Sequence, residues 1–215
     1  MYRPELSILY ADESLLVLEK PAGLLSVPGR GEDKQDCLSA RVQNLYPDAR
    51  VVHRLDMATS GVMILARSAM AQRNLNEAFA NRHVTKRYVA IVDGHLTHPT
   101  EDWGLIDLPI VVDWPNRPRR IIDHQQGKPS TTRWRWISHD NDAQTSRVEL
   151  EPITGRSHQL RVHLLALGHA IVGDALYGSA RVQAMSDRLL LHAQSIKLKH
   201  PITAAPMHFV SQPPF

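Results

Sequence analysis

Apolar positions along the chain fall into short runs and alternations before they fall into helical stripes. ILY, a polar turn at Asp12-Glu13 and LLVLEK read as a hairpin that ends at Lys20-Pro21-Ala22-Gly23. VVHRL and GVMILAR read as strands bracketing the loop DMATS, and VTKRYVAIV, TTRWRWIS, SRVELEP and LLLHAQSIKL as further strands. Alternation places Trp134 with Trp136 on one face of TTRWRWIS, and Val148 with Leu150 on one face of SRVELEP. Three stretches carry helical spacing. Asp36 is positioned to cap the first, with Leu38, Val42 and Leu45 on its inner face and Pro47 as its stop. Ser68 caps the second, with Ala71, Leu75, Ala78 and Phe79 along one side, and the third runs from about Ser157 to Leu167 and stops at Gly168. Residues 95–129, rich in Pro, Trp and Arg, read as an excursion from the core. Strands outnumber helices and follow one another directly, which predicts an α+β fold with a mainly antiparallel sheet.

Composition adds limits rather than detail. The 215 residues suit a single domain, 1–215, without repeats or an evident linker. No apolar run is long enough for a membrane span, and the first residues lack the pattern of a secretory signal. One cysteine, Cys37, rules out an intramolecular disulfide and a Cys-based zinc cluster, so a reducing cytoplasm is the expected setting. The net charge is +3, carried by 19 Arg against 6 Lys. Guanidinium is the better bidentate partner for phosphate, which favours a nucleic-acid partner, although a plain compositional bias explains the excess equally well.

Two stretches hold candidate chemistry. In HRLDMATSG, residues 53–61, a lone carboxylate, Asp56, follows His53 and Arg54, and in an extended strand Arg54 projects from the same face. Thr59, Ser60 and Gly61 read as the turn that presents Asp56. In PITGRSHQLRVHLLALGH, residues 152–169, Arg161 lies beside the stripe of Leu160, Leu164 and Leu167. A guanidinium held there needs a carboxylate partner, for which Asp56 is a candidate, unless it reaches solvent instead. The 12 histidines do not assemble a metal set: His95 and His98 sit in a Pro-rich loop, and His158 and His163 are five apart. No P-loop, dinucleotide fingerprint, HExxH or G-x-S-x-G pattern occurs.

Together HRLDMATSG, GRSHQLRVH and LEKPAGLLSVPG resemble the three signature stretches of the RluA family of pseudouridine synthases, and the similarity runs from about Leu9 to the C-terminus. DWPNRP and QGKP point to its short branch, without an S4-type RNA-binding domain, whose members act on ribosomal and transfer RNA. The resemblance implies the pseudouridine synthase fold and a cofactor-free, metal-free isomerisation of uridine. It implies Asp56 as the catalytic carboxylate, attacking the ribose or abstracting its proton, with Arg161 as its charge partner and Tyr88 as the active-site tyrosine. Arg54 would fill the stack vacated by the flipped uridine or hold a phosphate, Leu160 would wall the pocket, His53 would contact the substrate, and Arg117, Arg119 and Arg120 would hold RNA. The implied partners are a tRNA anticodon stem-loop, at the uridine of position 32, and a hairpin of 23S rRNA, met by a monomer in the cytoplasm. Two other classes compete: an RNA-binding module without activity, and a carboxylate hydrolase, which usually needs a second acid that is not evident near Asp56.

Overall fold

The computed structural model describes residues 6–97 and 103–215. In chain order the strands and helices are β1 (Ser7–Ala11), β2 (Leu15–Lys20), α1 (Leu38–Gln43), β3 (Arg50–Val51), β4 (Ser60–Ala66), α2 (Ala69–Ala80) and β5 (Thr85–Asp93). Then follow β6 (Gly104–Asp107), β7 (Ile110–Val112), β8 (Arg120–Ile122), β9 (Thr131–Asp140), β10 (Thr145–Pro152), α3 (Gln159–Ala166), α4 (Ala180–Ala184), β11 (Leu191–Lys199) and β12 (Pro206–Val210). The pairings β1-β2, β2-β4, β3-β4, β11-β12, β5-β10, β9-β10, β6-β9 and β7-β8 are antiparallel. Two compact units divide the chain: Met1–Lys86 with Ala193–Pro214, and Arg87–His192 with Phe215.

In the first unit the strand order is β1-β2-β4-β11, with β3 added to β4 and β12 to β11. LLVLEK and SGVMILA are nearly continuous apolar runs because β2 and β4 are covered on both faces. Leu15, Val17, Val62, Ile64, Ala71, Leu75, Ile196 and Leu198 form one core cluster under α2. Ser68 caps α2 as expected, its side chain accepting the Ala71 N–H at 3.1 Å.

Three expectations change here. The cap of α1 is Cys37, whose sulfur accepts the Ala40 N–H, while Asp36 forms a fork with Arg41 at 2.8 and 2.7 Å. The helix ends at Gln43, leaving Leu45 65 % exposed beyond it. VVHRL is a strand only over Arg50–Val51, and residues 52–56 leave the ladder.

In the second unit the order is β5-β10-β9-β6, with a separate pair β7-β8. Val148 and Leu150 face the interior fully buried, as alternation requires. Trp134 and Trp136 lie opposite Leu150 and Val148 in unbroken register, so they share one face of β9, Trp134 buried and Trp136 46 % exposed; the ladder slips by one residue only beyond Trp136, opposite Arg147/Val148. The excursion at 95–129 is only partly one: β6 pairs with β9 along Gly104–Asp107, and β7-β8 is the part that stands apart. His98, and residues 98–102 with it, lie outside the described residues. Helix α3 packs against β8, β9 and β10. No expectation covered α4 or β12, whose sequences, ARVQA and PMHFV, are too short to show a period. No helix among the described residues is long and apolar enough to cross a membrane.

Candidate active site

Asp56 stands at the head of a turn that the opening hairpin immobilises. The Asp56 carbonyl accepts the Thr59 N–H at 3.1 Å, closing the turn 56–59. One residue before it, Leu55 exchanges two hydrogen bonds with the buried Ser26 hydroxyl, its N–H donating at 3.1 Å and its carbonyl accepting at 2.7 Å. One residue after it, the Met57 carbonyl accepts both the Gly23 N–H at 2.9 Å and the Lys20 ammonium at 3.0 Å. Gly23 reaches this geometry with a φ of 82°, which glycine adopts without steric cost. Lys20 is fully buried, and its Nζ also donates to the Pro21 and Leu24 carbonyls at 2.8 and 2.7 Å. The segment KPAGLLS thus holds the backbone on both sides of Asp56, whose side chain is half-buried.

His53 explains how the chain peels away from β4. Its Nε2 accepts the Ile64 N–H at 2.9 Å, taking the place of a strand carbonyl where the β3-β4 ladder stops. The ring packs at 4.7 Å against Phe79, which lines the core. Burial, with the nearby Lys86 charge, pushes the His53 pKa down to about 3. Expected at the substrate, His53 instead has its ring nitrogen committed to the backbone. Arg54, next to it, is exposed, though outside any strand, so period-two alternation does not fix its direction.

In the second unit every polar side chain of HQLRVH has a partner. Gln159 is buried, with Nε2 donating to the Thr131 carbonyl and the Thr132 hydroxyl, both at 3.0 Å, and Oε1 accepting from Thr154 and the Arg156 N–H. The Thr132 hydroxyl lies 2.9 Å from His163 Nδ1, while Nε2 donates to the Leu108 carbonyl at 3.0 Å. The Leu108 carbonyl can only accept, so His163 Nε2 carries a proton, and burial lowers the His163 pKa. His158 begins α3 with a left-handed φ of 58°, and its Nδ1 lies 2.7 Å from the Tyr177 hydroxyl.

Arg161 is 4 % exposed and meets Asp174, 1 % exposed, in a fork: Nε to Oδ2 at 2.8 Å and Nη2 to Oδ1 at 2.6 Å. The buried guanidinium therefore has the carboxylate it needs, and Asp174 was missed because no spacing rule links it to Arg161. A guanidinium has five N–H donors, and this fork uses two. Asp174 Oδ1 also accepts the Leu176 and Tyr177 N–H groups. Leu160, on the same helix, is buried. Tyr88 is half-buried on β5, opposite Leu150.

Of the arginines of WPNRPRR, Arg117 and Arg119 lie on the turn between β7 and β8, and Arg120 opens β8. Arg117 and Arg119 are exposed, with Arg117 over the Trp114 ring at 4.4 Å, and Arg120 donates back to the Pro118 and Arg119 carbonyls. Part of the arginine excess is structural: Arg87, Arg133 and Arg135 all lie over Trp103 and pair with Glu149 and Glu151. Among the described residues no three His, Cys, Asp or Glu side chains gather as a metal site.

The strand order, the pinned acidic turn and the buried arginine fork set the class in which relatives were found. Residues 14–166 match the family model of the RNA pseudouridylate synthases, and the chain belongs to that family, as an enzyme of the RluA type. It is 50 % identical over 208 residues to the dual-specificity RNA pseudouridine synthase RluA of Yersinia pestis, covering 97 % of this chain and 99 % of the relative. The protein of the same name from Escherichia coli K12 is 50 % identical over 206 residues, 96 % of this chain and 92 % of the other. Among solved structures, human RNA pseudouridylate synthase domain containing 1 superposes with a TM-score of 0.80 at 30 % identity, covering all of this chain and 87 % of that one.

Proposed function

We propose that this enzyme isomerises uridine in two kinds of structured RNA, the anticodon loop of transfer RNA at position 32 and a hairpin of 23S ribosomal RNA. The observation that carries the reading is the Asp56 turn, whose backbone is fixed on both sides by the KPAGLLS segment. Reactions of a carboxylate with a bound sugar gain most when the group is held in place beforehand. The dual-specificity name of relatives that match nearly end to end supports the pair of substrates.

In this reading the Asp56 carboxylate acts at the ribose while the bond from N1 of the base to C1′ breaks. The base turns, C5 bonds to C1′, the C5 proton leaves to solvent, and N1, freed of its bond to C1′, takes up a proton. Arg161, already oriented by Asp174, supplies the positive charge beside Asp56. Tyr88 stacks on the base and assists removal of the C5 proton, and Leu160 walls the pocket. The target must leave its stack to be reached, at a cost of about a few kcal/mol, and Arg54 fills or props the vacated place. Arg117, Arg119 and Arg120 hold phosphates at the stem, and the rings and shape of the loop do the rest of the recognition. No cofactor takes part, and the active form is a cytoplasmic monomer.

The test is tritium release from RNA labelled at C5 of uridine, using a transfer RNA and a 23S hairpin, without added metal or cofactor. Both RNAs release tritium with the wild-type chain, and Asp56→Asn releases none while keeping RNA affinity. Turnover by Asp56→Asn removes Asp56 from its role, and release from one RNA alone removes the dual specificity.

A further inference from the structure

One side chain that the proposed reaction does not use touches each part of the arginine-bearing region of the second unit. Tyr177 is 7 % exposed and sits in a small apolar cluster with Ile110 and Val162. Its hydroxyl oxygen accepts the backbone N–H of Arg120 at 2.8 Å and lies 2.7 Å from His158 Nδ1. Since the oxygen already accepts from Arg120, its own proton can be donated to the imidazole. The Arg161 guanidinium lies over the Tyr177 ring at 4.9 Å from its centroid, and that of Arg119 lies over the same ring at 5.6 Å. The Tyr177 N–H donates at 3.1 Å to Asp174, the carboxylate that grips Arg161.

We propose that Tyr177 is a positioning residue that couples the seating of RNA phosphates on the 117–120 segment to the placement of Arg161. The inference rests on the reading above, in which that segment grips RNA and Arg161 serves the reaction. Two physical links carry the coupling. Arg119 and Arg161 are like charges attracted to one ring, so a phosphate that draws or neutralises Arg119 strengthens the hold of that ring on Arg161. Arg120 opens β8, so its N–H ties any shift of that strand to the tyrosine hydroxyl and, through His158, to the first turn of α3. By linkage, RNA seating and Arg161 placement then favour each other.

The test measures kcat and KM for tritium release from a labelled anticodon stem-loop. The variants are Tyr177→Phe, Tyr177→Leu, alanine at Arg117, Arg119 and Arg120 together, and that triple combined with Tyr177→Phe. Tyr177→Phe keeps the ring and drops the hydroxyl, and raises KM about fivefold with kcat within about twofold. Tyr177→Leu also removes the ring beneath Arg161, and lowers kcat by about tenfold or more. Adding Tyr177→Phe to the arginine triple raises KM little further, because both act on one seating step. Thermal unfolding of each variant is followed in parallel. A tyrosine that serves only the fold gives Tyr177→Phe a lower Tm with kcat and KM unchanged below the transition, and that result overturns the coupling. If the triple raises KM and Tyr177→Phe does not, the coupling alone fails. If the triple leaves KM unchanged, the reading of the segment as an RNA grip fails and the coupling falls with it.

Discussion

At Arg161 a structural demand and a chemical one meet in the same group. The fork with Asp174 buries two charges, and removing one partner of such a pair costs about 3–5 kcal/mol, because the other is left uncompensated. Arg161→Met is therefore expected to lose both stability and activity, and Arg161→Lys less stability, since an ammonium keeps the charge but not the two-point geometry. The informative variant replaces the pair. Arg161→Met with Asp174→Leu removes both charges, so its urea midpoint is expected to recover most of the loss while tritium release stays abolished. Activity returning together with stability would make Arg161 a purely structural residue. His53 gives a second test at this scale. Its folded pKa of about 3 lies below the usual 6.5, so below 6.5 the unfolded chain takes up a proton that the folded chain refuses. Stability from this residue is complete above 6.5 and is lost progressively as pH falls toward about 3. His163, lowered in the same direction by burial, adds to the slope. His53→Gln can still accept the Ile64 N–H but cannot titrate, so its Tm is expected to fall less than wild type between pH 7 and pH 5. Parallel Tm curves for the two proteins would show that His53 titrates as it does in the unfolded chain.

At the scale of elements, the turn at 56–59 depends on a segment some 30 residues earlier. Ser26→Ala removes both bonds to Leu55 and leaves buried backbone groups without them, a loss of about 1–3 kcal/mol. Because those groups adjoin Asp56, kcat is expected to fall more than KM rises. An unchanged kcat with lowered stability would detach the segment from the chemistry. Gly61 makes a harder demand: its φ is 113°, and a Cβ there would stand 2.3 Å from the Ala193 carbonyl oxygen. Gly61→Ala is expected to cost about 3 kcal/mol or more, read as a large fall in the urea midpoint. Most elements were legible in the sequence, β2 and β4 as short bounded apolar runs, β10 by its period of two and α2 by its period of 3.6. The failures have local causes. Asp36 has the residue type of a cap, but its carboxylate finds Arg41, and the Cys37 thiol does the work. VVHRL alternates like a strand, yet the His53 ring replaces the ladder after Val51. The acidic turn and Arg161 were legible from their motifs, whereas Asp174, Tyr177 and Ser26 were not, since their roles depend on neighbours distant in sequence.

At the scale of the whole molecule, the division into two units falls inside strands, at Lys86/Arg87 in β5 and His192/Ala193 in β11, so no linker composition marks it. The arginine excess is also uneven in meaning. Arg87, Arg133, Arg135 and Arg161 are matched by internal carboxylates, while Arg117 and Arg119 are exposed. Affinity for RNA is therefore expected to fall as salt rises, with a log–log slope that becomes shallower in the Arg117, Arg119 and Arg120 alanine variant. An identical slope would place the phosphate contacts elsewhere. The buried ammonium of Lys20 has a consequence of its own. The other lysines, Lys34, Lys86, Lys128, Lys197 and Lys199, are exposed or part-exposed, whereas Lys20 has no accessible surface. An amine-acylating reagent should modify those five first and Lys20 only when the backbone at Met57 lets go, so the arrival of the last acyl group, followed by mass, is a clock for how often the acidic turn opens.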